Sequence, residues 1–431
     1  MPLVNLNKIL ISLQDHHPKY IDLNLNRVYR LLKDIGNPHL NLPPTIHVAG
    51  TNGKGSTIAF LRSILEYSGL KVHAYTSPHL VSFNERIRIN GQLIADDFLS
   101  ELLLEVEKIN NKKEITFFEF TTAVAFLAFS RIKADILLLE VGLGGRLDAT
   151  NVVPNILASI ITSISFDHEH FLGNTLALIA REKCGIIKKE TPVITIRQEK
   201  NITQIVKKTS ETLNAPLVIV DKKDFVLSEK KFSFKFNNEI IESPLPSLRG
   251  KHQHENIALA LTCLNMVSQK LNMFNVRKSI NGLKNVRWPA RSQFLDSGKL
   301  IKLVHQKQRL IVLDGAHNAL GARALKEVLR ESSDNWLLIF GYLKTRKPEN
   351  FLEELKSISS EIITVEIPEQ KESYSSKKLL KVAKMIGFSG YASTSIVDAF
   401  NKAKESNLCI CICGSLYLAG KVLSLNETVP N

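Results

Sequence analysis

No stretch of the 431 residues approaches the roughly 18 consecutive apolar side chains that a membrane-crossing helix needs, which excludes a helical membrane protein. The first residues, Met1 to Asp15, lack a basic leader region, and Asn5, Asn7 and Lys8 interrupt their apolar run. A secretory signal is therefore not expected there, and a cytoplasmic protein is. Cysteine is scarce: five residues, an odd number. Three of them, Cys409, Cys411 and Cys413, alternate in one apolar run. Strand geometry sets such side chains in a row on one face rather than in a tetrahedron, and no histidine lies nearby, so buried reduced thiols are expected and not a zinc site. Internal repeats, low-complexity segments and long basic runs are also missing. Lysine plus arginine outnumber aspartate plus glutamate 56 to 42, a net charge of +14, but the excess is scattered in pairs such as Lys112–Lys113 and Lys207–Lys208. That pattern argues against a nucleic-acid partner and for a solvated basic surface favouring small anionic substrates.

What is present is a globular composition, 44% apolar and 23% charged, in a chain long enough for about two domains. Leu6, Ile9, Leu10 and Leu13 share one helical face, and Val28, Leu31, Leu32 and Ile35 another. From Thr45 the text becomes strand, Gly-rich loop, helix. Further strands are predicted at Val72–Tyr75, Ile136–Val141, Ile156–Ile164 and Val193–Ile196, with helices at Phe120–Lys133 and Thr175–Lys183. Such alternation predicts a mostly parallel sheet with helices on both faces. Asp224–Glu242 reads as a small antiparallel insertion, and a helix resumes at about Asn256–Lys270. The boundary is placed near residue 296, and strands are expected near Leu310–Leu313, Trp336–Phe340, Ile362–Val365 and Leu408–Cys413. The fold class expected is α/β: a P-loop-type, mostly parallel N-terminal domain (1–295) and a smaller Rossmann-like α/β domain (296–431).

Thr51, Asn52, Gly53, Lys54, Gly55 and Ser56, after Gly50, form the chemically informative loop. Glycines let backbone N–H groups turn inward on phosphate oxygens, and the following helix N-terminus adds a favourable dipole. Lys54 can reach the outer phosphates and Ser56 the metal end. The loop departs from the common P-loop pattern, with Val48 where glycine is usual and Gly55 where Ser or Thr is. A plain glycine-rich turn is the bland alternative.

His47–Ser56 (HVAGTNGKGS) resembles the Mur ligase superfamily and, within it, the folylpolyglutamate synthase and dihydrofolate synthase family. Blocks across the whole chain agree in order: TSPHL (Thr76–Leu80), LEVGLGGRLDATN (Leu139–Asn151), DHEHFLG (Asp167–Gly173), REKCGIIK (Arg181–Lys188), HQHENIALA (His252–Ala260), WPAR (Trp288–Arg291), DGAHN (Asp314–Asn318) and GSLYLAG (Gly414–Gly420). The resemblance implies an ATP-dependent, acyl-phosphate-forming ligase that uses L-glutamate, with ATP and two Mg²⁺ as cofactors; a monomer is the expected working form. It implies metal ligands at Ser77, Glu140 and His168, and a second metal held by a carbamate on Lys183. It implies ATP contacts at Asn256, Arg291 and Asp314, with His317 joining Lys54 and Lys183 in catalysis. Taken alone, Glu140 could be a salt-bridged strand end, His168 a capping residue, Lys183 a helix-end lysine, Asp314 an N-cap and His317 a first-turn residue. After Gly341 the family usually has a Lys-Asp pair; here Lys347 replaces that aspartate in Leu343–Pro348.

The resemblance favours addition of the first glutamate to dihydropteroate, combined with extension of γ-glutamyl tails on reduced folates. It rests here on Gly144–Asn151 and on a segment like Ile21-Asp22-Leu23. The acceptor is placed near Asp22, Leu23, Phe118 and Asp148. Tail extension alone is the nearest alternative, a peptidoglycan-precursor ligase the next, and an ATP-binding nucleic-acid protein the rival from another class.

Overall fold

The computed structural model describes residues 6–17, 22–227, 231–236, 239–271, 274–304, 306, 309–333 and 335–428. Met1–Asn5 and Ile21, which figure in the sequence reading, lie outside them. The chain divides into two compact units. Met1–Pro78, Phe83–Pro246 and Glu255–Val286 form the first; His79–Ser82, Ser247–His254 and Arg287–Asn431 form the second. The boundary expected near residue 296 compares with Arg287 here, and the two short upstream segments of the second unit escape any linear cut.

The first unit is built on eight strands: β1 (Thr45–Ala49), β2 (Val72–Tyr75), β3 (Ile87–Ile89), β4 (Gln92–Leu93), β5 (Ile136–Glu140), β6 (Ile156–Ile161), β7 (Val193–Ile196) and β8 (Leu217–Val220). Their order is β4-β3-β2-β5-β1-β6-β7-β8. β2, β5, β1, β6, β7 and β8 run parallel, while β3 and β4 form an antiparallel edge. Both β1 and β5 are buried along their whole length, as central strands covered on two faces must be. The helices Leu6–His16, Asn26–Asp34, Asp96–Asn110 and Phe117–Arg131 supply one core with Leu137 and Leu139. Leu176–Cys184 and Lys200–Thr212 supply another with Ile161 and Val193. Local chemistry sets several ends: Thr116 and Glu119 form a reciprocal capping box, and Thr175 accepts from Leu178 N–H. The expected insertion is an antiparallel sheet of β9 (Phe225–Leu227), β10 (Lys231–Phe236) and β11 (Glu239–Pro244).

The second unit holds β12 (Gln293–Phe294), β13 (Ile311–Leu313), β14 (Trp336–Phe340), β15 (Glu361–Thr364), β16 (Ser389–Ala392) and β17 (Cys409–Cys413), in the order β12-β13-β17-β14-β15-β16. All are parallel except β12. The period of two is explicit in β14: Trp336, Leu338 and Phe340 join one core, Leu337 and Ile339 the other. In β17, Cys411 and Cys413 enter the Phe340 core with Cys409 packed against it, while Ile410 and Ile412 face the opposite side. The cysteine row is therefore on one face, and burial pushes the Cys411 thiol well above its ordinary range. No described helix is long and apolar enough to cross a membrane.

Candidate active site

The phosphate loop leaves the carboxyl end of β1 and feeds the helix Lys54–Tyr67. Its rim is stitched to the segment after β6. Thr51 N–H donates to Ser163 O at 2.8 Å, Thr51 Oγ1 donates to Ser165 O at 3.1 Å, and Thr162 Oγ1 donates to Asn52 O at 2.7 Å. Gly53 has φ +90°, and a Cβ there would sit 2.4 Å from Asn256 Oδ1. Only glycine fits, and Asn256 thereby lies directly against the loop. Gly55 and Ser56 are buried in the first helical turn.

Two lysines converge on one carbonyl. Lys54 Nζ donates to Gly50 O at 3.0 Å and to Thr51 O at 3.2 Å, and Lys183 Nζ donates to the same Gly50 O at 2.9 Å. Lys183 does stand in the last turn of Leu176–Cys184, but it is buried, not a solvent-facing dipole partner. Burial, aided by the Lys54 charge, lowers its pKa to about 7, so near neutrality much of the amine is uncharged.

Glu140 ends β5, paired in register with Val48 of β1, and Ser77 N–H donates to its Oε2 at 3.2 Å. His168, at φ +53°, heads the short helix Glu169–Leu172 and is paired with Asp167 Oδ1 at 3.9 Å. Among the described residues no three His, Cys, Asp or Glu side chains are grouped to bind a metal ion. The expected set is mixed instead: a hydroxyl, a carboxylate, an imidazole and, only as a carbamate, Lys183. The oxygen donors in this set suit a Mg²⁺-class ion, which keeps water ligands, and the imidazole is the one nitrogen donor.

On the expected acceptor side, the Phe118 ring lies on Gly142, where a Cβ would come 2.4 Å from its Cζ. Leu143 N–H donates to Asp148 Oδ2 at 2.8 Å. Asp148 is buried, which raises its pKa, while hydrogen bonds from Thr150 and the backbone oppose the rise. Leu23 packs on the same core as Leu143. The exposed Asp22 is held by Arg27 Nη1 at 2.8 Å, and Arg27 also grips Glu119 with Nε and Nη2 at 3.1 Å each. Sequence reasoning missed Arg27 and Glu119; the Thr116–Glu119 capping spacing was a signal for the latter, and Arg27 left none.

Within the second unit, Arg291 Nη1 donates to Ala290 O at 3.0 Å. Asp314 accepts from Ser292 N–H at 2.6 Å and Ala316 N–H at 2.7 Å; burial raises its pKa, and Arg291 pulls it down. Asp314 is not an N-cap, a place that Asn318 takes for the helix Ala319–Ser332. His317 Nδ1 lies 2.8 Å from Gly315 O, a carbonyl that can only accept, so Nδ1–H donates. Lys347 is exposed at the N-cap of the helix Pro348–Leu355.

Comparison with known proteins agrees in every part of the chain. The Mur ligase middle domain family matches residues 48–264, and the family described as dihydrofolate synthetase, C-terminal domain, matches residues 299–425. The dihydrofolate synthase/folylpolyglutamate synthase of Bacillus subtilis (strain 168) is 32% identical over 416 residues, 92% of this chain and 94% of the relative. The dihydrofolate synthetase of Saccharomyces cerevisiae is 31% identical over 438 residues, 95% and 99% of the two chains. E. coli FolC in complex with DHPP and ADP superposes with a TM-score of 0.86 at 28% identity, covering 98% of each chain. A bifunctional folylpolyglutamate synthase/dihydrofolate synthase with Mn, AMPPNP and L-glutamate bound gives 0.82 at 28%, again covering 98% of each. A phosphate loop on a parallel sheet, a second α/β unit and relatives matched nearly end to end place this chain in the dihydrofolate synthase/folylpolyglutamate synthase family of the Mur ligases.

Proposed function

We propose that this chain is an ATP-dependent ligase that adds L-glutamate to dihydropteroate and extends the γ-glutamyl tail of reduced folates through an acyl phosphate. The observation that carries the reading is the convergence of Lys54 and Lys183 on the Gly50 carbonyl inside a strand–loop–helix unit. The Lys54 charge and burial hold Lys183 partly uncharged, and an anion placed beside Lys54 would be favoured there, as phosphate oxygens are. Ser77, Glu140 and His168 would hold one Mg²⁺ and a Lys183 carbamate a second. Bound there, such ions neutralise charge during phosphoryl transfer. Asp22, Leu23, Phe118 and Asp148 are read as the acceptor side. The roles of Asn256, Arg291, Asp314 and His317 toward nucleotide rest on the resemblance.

The test is glutamate- and ATP-dependent phosphate release with dihydropteroate and with tetrahydrofolate, run in parallel. Turnover of both is the expected result, and silence with both would remove the acceptor assignment. A second reading, first-glutamate addition alone, is favoured by the match of residues 299–425 to the dihydrofolate synthetase C-terminal domain. It predicts turnover of dihydropteroate only.

A further inference from the structure

The acceptor-side carboxylate is connected to a buried group that the ligase chemistry above does not use. His47 lies in the middle of β1, fully buried, and its Nε2 is 2.9 Å from Thr150 Oγ1. The same Thr150 oxygen hydrogen-bonds Asp148 Oδ1, which also accepts from Thr150 N–H at 3.0 Å. Proton counting fixes the direction of this chain. A threonine hydroxyl has one hydrogen, and an ionised carboxylate only accepts, so the Thr150 hydrogen goes to Asp148. Thr150 must then accept from His47, which places the imidazole hydrogen on Nε2. Burial, reinforced by the Lys188 charge, lowers the His47 pKa to about 3, so the ring is neutral and carries that single hydrogen. The bare nitrogen this leaves, Nδ1, is buried and has no hydrogen-bond partner among the described residues. A core imidazole that sacrifices one nitrogen to orient a threonine is costlier than an apolar residue at the same place, unless the orientation matters.

We propose that His47 is a positioning residue: through the Thr150 hydroxyl it aims Asp148, and with it the Gly142–Leu143 backbone under Phe118, at the acceptor acid. The inference rests on the reading of Asp148 as an acceptor-side residue. It also makes β1 the element that carries the phosphate loop at its end and fixes the acceptor-side carboxylate from its middle.

The test uses five variants of the full chain: Thr150→Val and His47→Met, which break the chain of hydrogen bonds; Thr150→Ser and His47→Gln, which keep a donor in place; and Asp148→Asn. Steady-state kinetics give KM for the acceptor acid, KM for ATP and kcat. Loss of a hydrogen bond to a charged group predicts a roughly tenfold rise in acceptor KM for Thr150→Val, and loss of the neutral His47–Thr150 bond predicts a smaller rise, roughly threefold, for His47→Met. KM for ATP should stay within about twofold, and Thr150→Ser and His47→Gln should return close to the parent. A rise in both KM values together, or no rescue by the conservative variants, would reduce His47 to a core residue and overturn the proposal. An unchanged acceptor KM in Thr150→Val beside a raised one in Asp148→Asn would overturn it while leaving the acceptor reading intact. An unchanged acceptor KM in Asp148→Asn would remove both. Should His47→Met fail to fold, His47→Leu takes its place, read beside the isosteric Thr150→Val and the donor-keeping His47→Gln.

Discussion

A single methylene or proton decides much at this site. A methyl group at Gly142 would meet the Phe118 ring at 2.4 Å, so Gly142→Ala must displace the ring or the loop beneath it. The expected outcome is a raised KM for the acceptor acid with ATP binding unchanged, read by steady-state kinetics; a parent-like acceptor KM would mean that Phe118 does not contact the acceptor. Lys183 offers a second residue-scale prediction. An ordinary lysine is almost wholly protonated at pH 7, whereas burial and Lys54 bring this one down to about 7. The sign follows: the unfolded chain binds the proton more tightly than the folded one, so the cost of burying this charge is greatest below pH 7 and falls as pH rises toward 10.5. The free amine that results can add CO₂ and release a proton, giving a carbamate. ¹³C-labelled bicarbonate should therefore produce a carbamate resonance that strengthens from pH 6 to pH 8 and is missing in Lys183→Arg. A signal retained in that variant would place the modification elsewhere.

Elements hold these residues, and the strength of that hold is open to measurement. Arg27, on the helix Asn26–Asp34, ties Asp22 to Glu119 at the start of Phe117–Arg131, the helix that also carries Phe118. Arg27→Met should raise acceptor KM, and Arg27→Lys should not restore it, because an ammonium cannot reproduce the two-pronged grip. Full rescue by lysine would show that charge alone matters. Thr116→Ala, which removes half of the capping box, should lower the stability of the first unit by about 1 kcal/mol in denaturant unfolding. The elements that sequence reading recovers are those with strong period and clear ends: β2, β7 and β14 match the residues expected. The strand expected to reach Ile164 stops at Ile161, because Thr162 and Ser163 turn to hold the phosphate loop. The helix expected from Asn256 starts at Lys251. Asp96–Asn110 and Lys200–Thr212 are additional helices, although the former buries Leu99, Leu102, Leu103 and Val106 at helical spacing. β16, with the text Ser-Gly-Tyr-Ala, carries no apolar alternation at all. It forms because Gly390 brings its backbone against Ile362, where a Cβ would fall 1.7 Å from the carbonyl oxygen. In the candidate site, the loop and the residues proposed as metal ligands were legible as motifs. The Arg27 grip and the His47–Thr150 connection were not, since each joins residues some 90 or more positions apart.

For the whole molecule, the sequence boundary and the spatial one are different things. Leu80 and Val81 pack against the core of the second unit, and Arg249 stacks over Phe294 of β12 at 4.1 Å, although all three precede residue 287 by some distance. A fragment of residues 296–431 would lack these pieces and the strand β12 itself. It should express poorly or unfold without cooperativity, as circular dichroism would show; a sharp, reversible melt would mean that the upstream segments are dispensable. The row of sulfurs on β17 has a practical counterpart. Cys184, Cys263, Cys411 and Cys413 are buried and Cys409 is partly exposed. The native enzyme should thus consume about one equivalent of a thiol reagent where the denatured chain consumes all five. A dye coupled there would sit on the second unit, away from the phosphate loop in the chain, and the slow labelling of the remaining four would serve as a clock for how often the folded protein opens.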